Sequence, residues 1–208
     1  MKKFCSLLIV VGSLASQANA DTTSSIILET LDAKLTFGGN TVSGDGTAVT
    51  AQVSTVLDNG IGFLGSYSNA KGKVGAATWE LQSTSVGVGY ELSNTIDKEA
   101  GSGISVLAGL GYTSTSGEVS GGGTTASADN DFTAFVGQVT GWVNNTMSFT
   151  AGVIADIEGD TDPTFSIAVG YDLTDTGKLT VGYSTNNTTS SGVTAEMSGW
   201  AIGWPLTF

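Results

Sequence analysis

The chain of 208 residues contains no arginine and no histidine, one cysteine and two prolines, and only 12% of its residues are charged. Each shortage excludes something. Without histidine, most general-base chemistry and most zinc sites are gone. Without arginine, and with 7 lysines against 19 acids, no basic face exists for nucleic acid. A single cysteine, Cys5, builds no disulfide framework. The low charge is not the signature of disorder either, because 40% of the chain is hydrophobic and disorder needs low hydropathy with dense charge. Continuous apolar runs long enough for a membrane helix, about 20 residues, are also missing. What the chain has in quantity is glycine, 30 residues, together with 8 Phe, 5 Tyr and 4 Trp.

The N-terminus is predicted to be an export signal. Lys2 and Lys3 form a basic start, Leu7 to Ala15 an apolar stretch, and Ala18-Asn19-Ala20 a small-residue cleavage site. Residues 1–20 are then removed, Cys5 with them, and 21–208 is one domain. It retains Lys34, Lys71, Lys73, Lys98 and Lys178 against all the acids.

The remaining pattern has a period of two, the mark of strands. Phe165, Ile167, Val169, Tyr171 and Leu173 alternate with Thr164, Ser166, Ala168, Gly170 and Asp172. Comparable rows are Leu179/Val181/Tyr183, Met147/Phe149/Ala151/Val153/Ala155, Ile104/Val106/Ala108/Leu110/Tyr112, Ile61/Phe63/Tyr67 and Leu31/Ala33/Leu35/Phe37. The row opposite each is Gly, Ser, Thr and Ala rather than the Lys and Glu of a water-facing sheet. Small inward residues suit a narrow barrel interior. The segments also run about 9–12 residues, the length of a tilted membrane-spanning strand. Tyr67, Tyr90, Tyr112, Trp142, Tyr171, Tyr183, Trp200 and Trp204 fall toward segment ends, as interfacial girdles do.

Strands are expected near 25–37, 47–57, 60–69, 77–92, 103–113, 131–143, 146–157, 164–173, 177–185 and 193–208. This describes an all-β, antiparallel, up-and-down transmembrane barrel of ten strands, with eight as the alternative count. Short turns (58–60, 144–145, 175–177) alternate with longer links (38–46, 69–76, 114–130, 158–163, 186–192), as in barrels with short periplasmic turns and long outer loops. The link 93–101 breaks that alternation. Two segments resist a single parity. In 77–92, Trp79 and Leu81 oppose Val86, Val88, Tyr90 and Leu92, which either a bulge near Ser83–Ser85 or a different strand boundary reconciles. In 131–143, Gln138 and Thr140 interrupt the row of Phe132, Ala134 and Val136.

The last strand carries a resemblance. Trp200, Ile202, Trp204, Leu206 and the terminal Phe208 share one face. Such a strand resembles the C-terminal strand of Gram-negative outer-membrane β-barrel proteins, in a small, porin-like form. Ala201 stands where that pattern has a polar residue, and Pro205 is unusual within a strand. The resemblance implies location in the outer membrane after export through the periplasm, outer-membrane lipid as surroundings, and recognition of Gly203, Leu206 and Phe208 by the barrel-assembly machinery.

Barrel-borne proteases, deacylases and palmitoyltransferases rely on histidine, so no enzyme, catalytic residue or cofactor is expected. Asp32 and Lys34, two residues apart, read as an ion pair in the lumen, where Asp156 and Asp172 also point. Glu158, Asp160 and Asp162 read as a solvated loop, with calcium binding as the alternative. Tyr112, Tyr171, Tyr183, Trp200 and Trp204 are the girdle candidates. Two functions follow. One is a narrow passive pore for ions or small hydrophilic solutes, weakly cation-preferring because of its inward acids. The other is a non-conducting barrel acting as an adhesin or as envelope structure.

Overall fold

The computed structural model describes residues 22–37, 39–57, 59–97, 99–158, 162–174, 177–190 and 193–206. Ten antiparallel strands follow one another in chain order: β1 (Thr22–Phe37), β2 (Asn40–Val56), β3 (Ile61–Val74), β4 (Ala77–Asn94), β5 (Ile104–Gly121), β6 (Thr124–Trp142), β7 (Met147–Asp156), β8 (Thr164–Thr174), β9 (Gly177–Ser190) and β10 (Val193–Leu206). Each pairs with its chain neighbour, and β1 closes on β10 from Ser24↔Leu206 to Phe37↔Val193. Closure is what permits β-structure in hydrocarbon, because it leaves no ladder edge without partners. The predicted signal segment 1–20, Asp160 and Phe208 lie outside the described residues.

The outward face carries a belt of exposed apolar side chains. It runs through Ile26 and Leu28, Val49 and Val53, Phe63 and Tyr67, Val86, Val88 and Tyr90, then Leu110, Phe135, Phe149, Ile167, Val181 and Ile202. Such a continuous ring of large apolar groups facing out of a closed barrel is explicable only if its solvent is lipid. The inward face at the same level is Thr50, Ser66, Ser68, Ser83, Ser105, Thr140, Ser148, Thr150, Thr180 and Ser184, all buried.

Toward one end of the barrel the amphipathicity inverts. On β4, Val86, Val88 and Tyr90 face out, while Trp79 and Leu81 farther along face in and are buried. Pairing with β3 runs unbroken from Ile61↔Tyr90 to Val74↔Ala77, so the expected bulge at Ser83–Ser85 is absent; the register shifts instead between Glu91 and Ser93. The strand needs no bulge because its surroundings change. Beyond the lipid belt the outward positions, such as Glu80 and Gln82, meet water, and the apolar groups turn inward as in a soluble barrel. There Leu31, Ala48, Ala70, Trp79 and Leu81 share one core with Ile27, Ala168 and Ala201. β6 resolves on the same principle: Phe135, Val139 and Val143 face out, and Ala134, Gln138, Thr140 and Trp142 face in. Trp142 is therefore an interior residue and not part of a girdle.

Most of the expected long links are strand. β1 passes to β2 through residues 38–39, β3 to β4 through 75–76, and β5 to β6 through 122–123. The Gly- and Ser-rich stretch 114–130 is neither a plug nor an irregular loop but the far end of a β5–β6 ribbon. Its turn is Gly122-Gly123, whose φ angles of 58° and 82° are left-handed and favour glycine at both positions. The link at 157–163 does remain long. The irregular link at 95–103 also persists, tightened by an Asp97↔Ser102 bridge. We refer to the end bearing the β5–β6 turn as the ribbon end and the other as the terminal end.

Candidate functional site: the lumen and the ribbon-end wall

The interior is built from cross-strand hydroxyl pairs. Thr50 Oγ1 donates to Ser68 Oγ at 2.8 Å and Thr115 Oγ1 to Ser83 Oγ at 3.3 Å. Thr140 and Thr150 lie 3.2 Å apart, and Ser85 and Thr113 2.9 Å apart. These contacts arise because antiparallel partners share a face, so small hydroxyl residues on adjacent strands meet directly. They satisfy one another without a bound solute. The larger inward residues, Gln52, Leu107, Gln138 and Trp142, fill the space between them and are buried too. Gln52 Oε1 has no protein hydrogen-bond partner among the described residues.

Among the described residues one carboxylate is buried in this interior. Glu29 on β1 is 4% exposed and accepts from Ser184 Oγ on β9 at 3.2 Å. The strand between them contributes Gly199, where a Cβ would lie 2.8 Å from Glu29 Oε1 and 2.5 Å from Thr30 O. The glycine is what makes room for the carboxylate. Sequence reading missed Glu29 because it began the first strand's apolar row at Leu31. Extending that row back through Ile27 places Glu29 on the same parity.

The same shift of parity corrects Asp32 and Lys34. Ile27, Glu29, Leu31 and Ala33 are the inward residues of β1, so Asp32 and Lys34 lie on the outer wall and not in the lumen. The expectation failed because this part of β1 lies past the lipid belt, where apolar residues turn inward. Lys34 Nζ is 4.0 Å from Glu196 Oε2, both more than half exposed, a geometry that contributes little to stability. Their outer-wall neighbourhood is a concavity of about 430 Å³ that also takes in Asp162, Phe165 and Tyr183.

Asp156 and Asp172 do fall on the inward parity. Asp156 pairs with buried Ala134, and Asp172 follows buried Ala168 and Gly170 on β8. They stand at opposite ends, however, Asp156 at the ribbon end and Asp172 at the terminal end. Asp156 Oδ1 accepts the Glu158 N–H at 2.9 Å and so holds the start of the 157–163 link. Glu158 and Asp162 are exposed, and no group of His, Cys, Asp and Glu able to hold a metal ion occurs among the described residues.

Apart from the interior Trp142, the aromatic candidates lie on the outer wall in two tiers. Tyr67, Tyr112, Tyr183 and Trp200 stand toward the ribbon end, and Tyr90, Tyr171 and Trp204 toward the terminal end. Tyr183 and Trp200, on adjacent strands, pack with ring centroids 5.1 Å apart and planes tilted by 54°. Of the terminal-strand residues, Gly203 is inward, buried and paired with Thr180, and Leu206 pairs with Ser24.

No protein-family description and no curated protein sequence matches the chain. Solved structures do. The COG4313 outer membrane channel from Pseudomonas putida F1 is 6% identical, with 96% of this chain and 100% of that chain covered and a TM-score of 0.47. Neisserial surface protein A is 15% identical, with 88% and 98% covered and a TM-score of 0.42. The transport unit of the autotransporter AIDA-I from Escherichia coli is 12% identical, with 97% and 93% covered and a TM-score of 0.52. At these identities the likeness concerns the fold, and the fold is that of Gram-negative outer-membrane β-barrels: closed, antiparallel and, in this chain, ten-stranded.

Proposed function

We propose that this chain is a non-conducting outer-membrane barrel whose working surface is the wall projecting at the ribbon end, an adhesin or structural envelope protein rather than an enzyme. The observation that carries the reading is the burial of the inward row from mid-strand, at Ser68 and Ser184, to the terminal end, at Ser105 and Ser148. Ser68, Ser105, Ser148 and Ser184 are each no more than 2% exposed although they are small and point into the lumen. Side chains lining a water-filled channel are wetted by it. In this reading the ribbon end faces outward and the terminal end the periplasm. Export uses residues 1–20, and the assembly machinery engages the last strand through Gly203, Leu206 and Phe208.

A narrow, cation-preferring pore is the second reading, and the inward parity of Asp156 and Asp172 at the two mouths is what favours it. Planar-bilayer recording with the refolded chain separates the two. A flat baseline at either polarity is expected. Steady single-channel steps with cation preference overturn the closed-barrel reading in favour of the pore.

A further inference from the structure

The wall at the ribbon end has a gap in its ladder. β6 pairs with β7 from Trp142↔Ser148 only as far as Ala134↔Asp156, yet β6 begins at Thr124. On its other side the same segment stays fully paired with β5, from Tyr112↔Thr133 to Gly121↔Thr124. Residues 124–133 are therefore strand on one side only: among the described residues none forms a ladder with the other. Across the gap, β9 continues to Ser190 while its pairing with β8 stops at Phe165↔Thr185. The short β7 and β8 make a notch in the wall, with the β6 edge as its longer flank.

The orientation of that edge is set by one bond. Thr133 turns its carbonyl toward β7 and accepts the Ile157 N–H at 2.9 Å. Backbone groups alternate sides along an antiparallel strand. The N–H and C=O of Asp131, Asp129, Ser127 and Thr125 thus face the notch, a row about 20 Å long at the usual rise of a strand. Tyr112, opposite Thr133, marks the upper aromatic tier, so this row stands beyond the lipid belt, in water.

We propose that this edge is a docking site for an extended, lysine- or arginine-bearing peptide segment of a partner protein, which adds to β6 as a further strand. A free edge of this length is a template for strand addition. The choice of occupant follows from charge. Asp129 and Asp131 are exposed on the outward face of β6, Glu118 lies beside them on β5, and Glu158 and Asp162 border the notch. Of the described lysines, Lys34, Lys71 and Lys73 are on β1 and β3 instead, and Lys178 is at the terminal end of β9. A second copy of this chain would set the same acids against one another, whereas basic residues two apart on an added strand come to lie beside Asp129 and Asp131. The proposal rests on the closed-barrel reading, since it names what the projecting wall binds.

The test uses the full chain refolded in detergent micelles and a seven-residue peptide alternating lysine with valine. Amide hydrogen exchange is followed residue by residue. Expected is a slowing of roughly ten-fold or more at Ser127, Asp129 and Asp131 on peptide addition, lessened by salt. The same peptide N-methylated at alternate amides keeps its charge but cannot build a ladder, and it is expected to give no slowing. Ser127→Pro removes one edge donor without touching the bonds to β5, and is expected to abolish the effect while heat-modifiable gel mobility shows the barrel intact. No slowing with the lysine peptide, equal slowing with the N-methylated peptide, or unchanged slowing in Ser127→Pro overturns the proposal. Failure here alongside a silent bilayer leaves the closed barrel standing, whereas conductance overturns that reading whatever the peptide does.

Discussion

Ser184 on β9 donates its hydroxyl to Glu29 on β1 at 3.2 Å, across the whole width of β10, with both residues buried inside the barrel. The bond spans 155 positions of sequence and ties the two ends of the chain beside the closing seam. Ser184→Ala removes this donor from a buried carboxylate, and a loss of about 1–3 kcal/mol is expected. Glu29→Gln keeps an acceptor oxygen while removing the charge, so its loss is expected to be smaller. Urea unfolding of the barrel in lipid vesicles measures both, and a Glu29→Gln variant less stable than Ser184→Ala contradicts the assignment.

Trp79 is the anchor of the ribbon-end core, and two glycines define its slot. A Cβ at Gly46 would lie 2.5 Å from Trp79 Cζ2, and one at Gly72 would meet Asp45 O and the same ring. Trp79→Ala is expected to cost about 3–5 kcal/mol through the cavity it leaves. Trp79→Phe is expected to cost less, because it also removes an indole N–H that is buried without a partner among the described residues. Hydrogen exchange along β2, β3 and β4 reports the effect. Loosening in Trp79→Ala is expected at the ribbon-end residues 42–48 and 70–81, with the belt residues 86–90 protected as before. Uniform loosening along β4 contradicts a separate ribbon-end core.

The turn at Gly122-Gly123 is a smaller case. Both residues hold left-handed φ angles with nothing near their absent side chains, so space is not what requires glycine there. Replacing both with Val forces β-branched residues into that region and is expected to cost about 1–2 kcal/mol per position. Protease sensitivity confined to the 114–130 ribbon, with heat-modifiable mobility unchanged, is the expected result.

The pattern of the chain carried the barrel to the reader wherever lipid lies outside. Phe165 to Tyr171 alternates cleanly, and Ile104 to Tyr112 does so but for the inward Leu107, because hydrocarbon demands apolar groups on one face and a narrow interior demands small ones on the other. Trp79, Leu81 and Leu31 misled because parity inverts beyond the belt, and a local pattern does not say on which side of the membrane boundary it stands. Ribbon length was hidden for a related reason. Residues 114–130 are mostly Ser, Thr and Gly on both faces, so water on each side leaves no alternation to read. Glu29 and the β6 edge depend on which strands meet and where their pairing stops, and those relationships exist only in the assembled ladder.

That inversion fixes a boundary which a single strand can locate. On β5, Leu110 and Ser116 share the outward face, both exposed, with Tyr112 between them in the upper aromatic tier. If the belt meets lipid, an arginine at Leu110 must be desolvated in hydrocarbon while one at Ser116 stays in water. Leu110→Arg, one outward position inside the aromatic tier, is expected to destabilise the barrel by about 1–2 kcal/mol, between the interfacial and midplane costs. Ser116→Arg is expected to change stability by no more than about 0.5 kcal/mol, as for an ordinary surface substitution. Unfolding in vesicles gives the comparison, and repeating it in short-chain micelles should shrink the penalty at Leu110 because detergent deforms around a charge more readily than a bilayer. Equal effects at the two positions would place the membrane edge elsewhere on β5 and shift the notch beside β6 relative to the lipid surface.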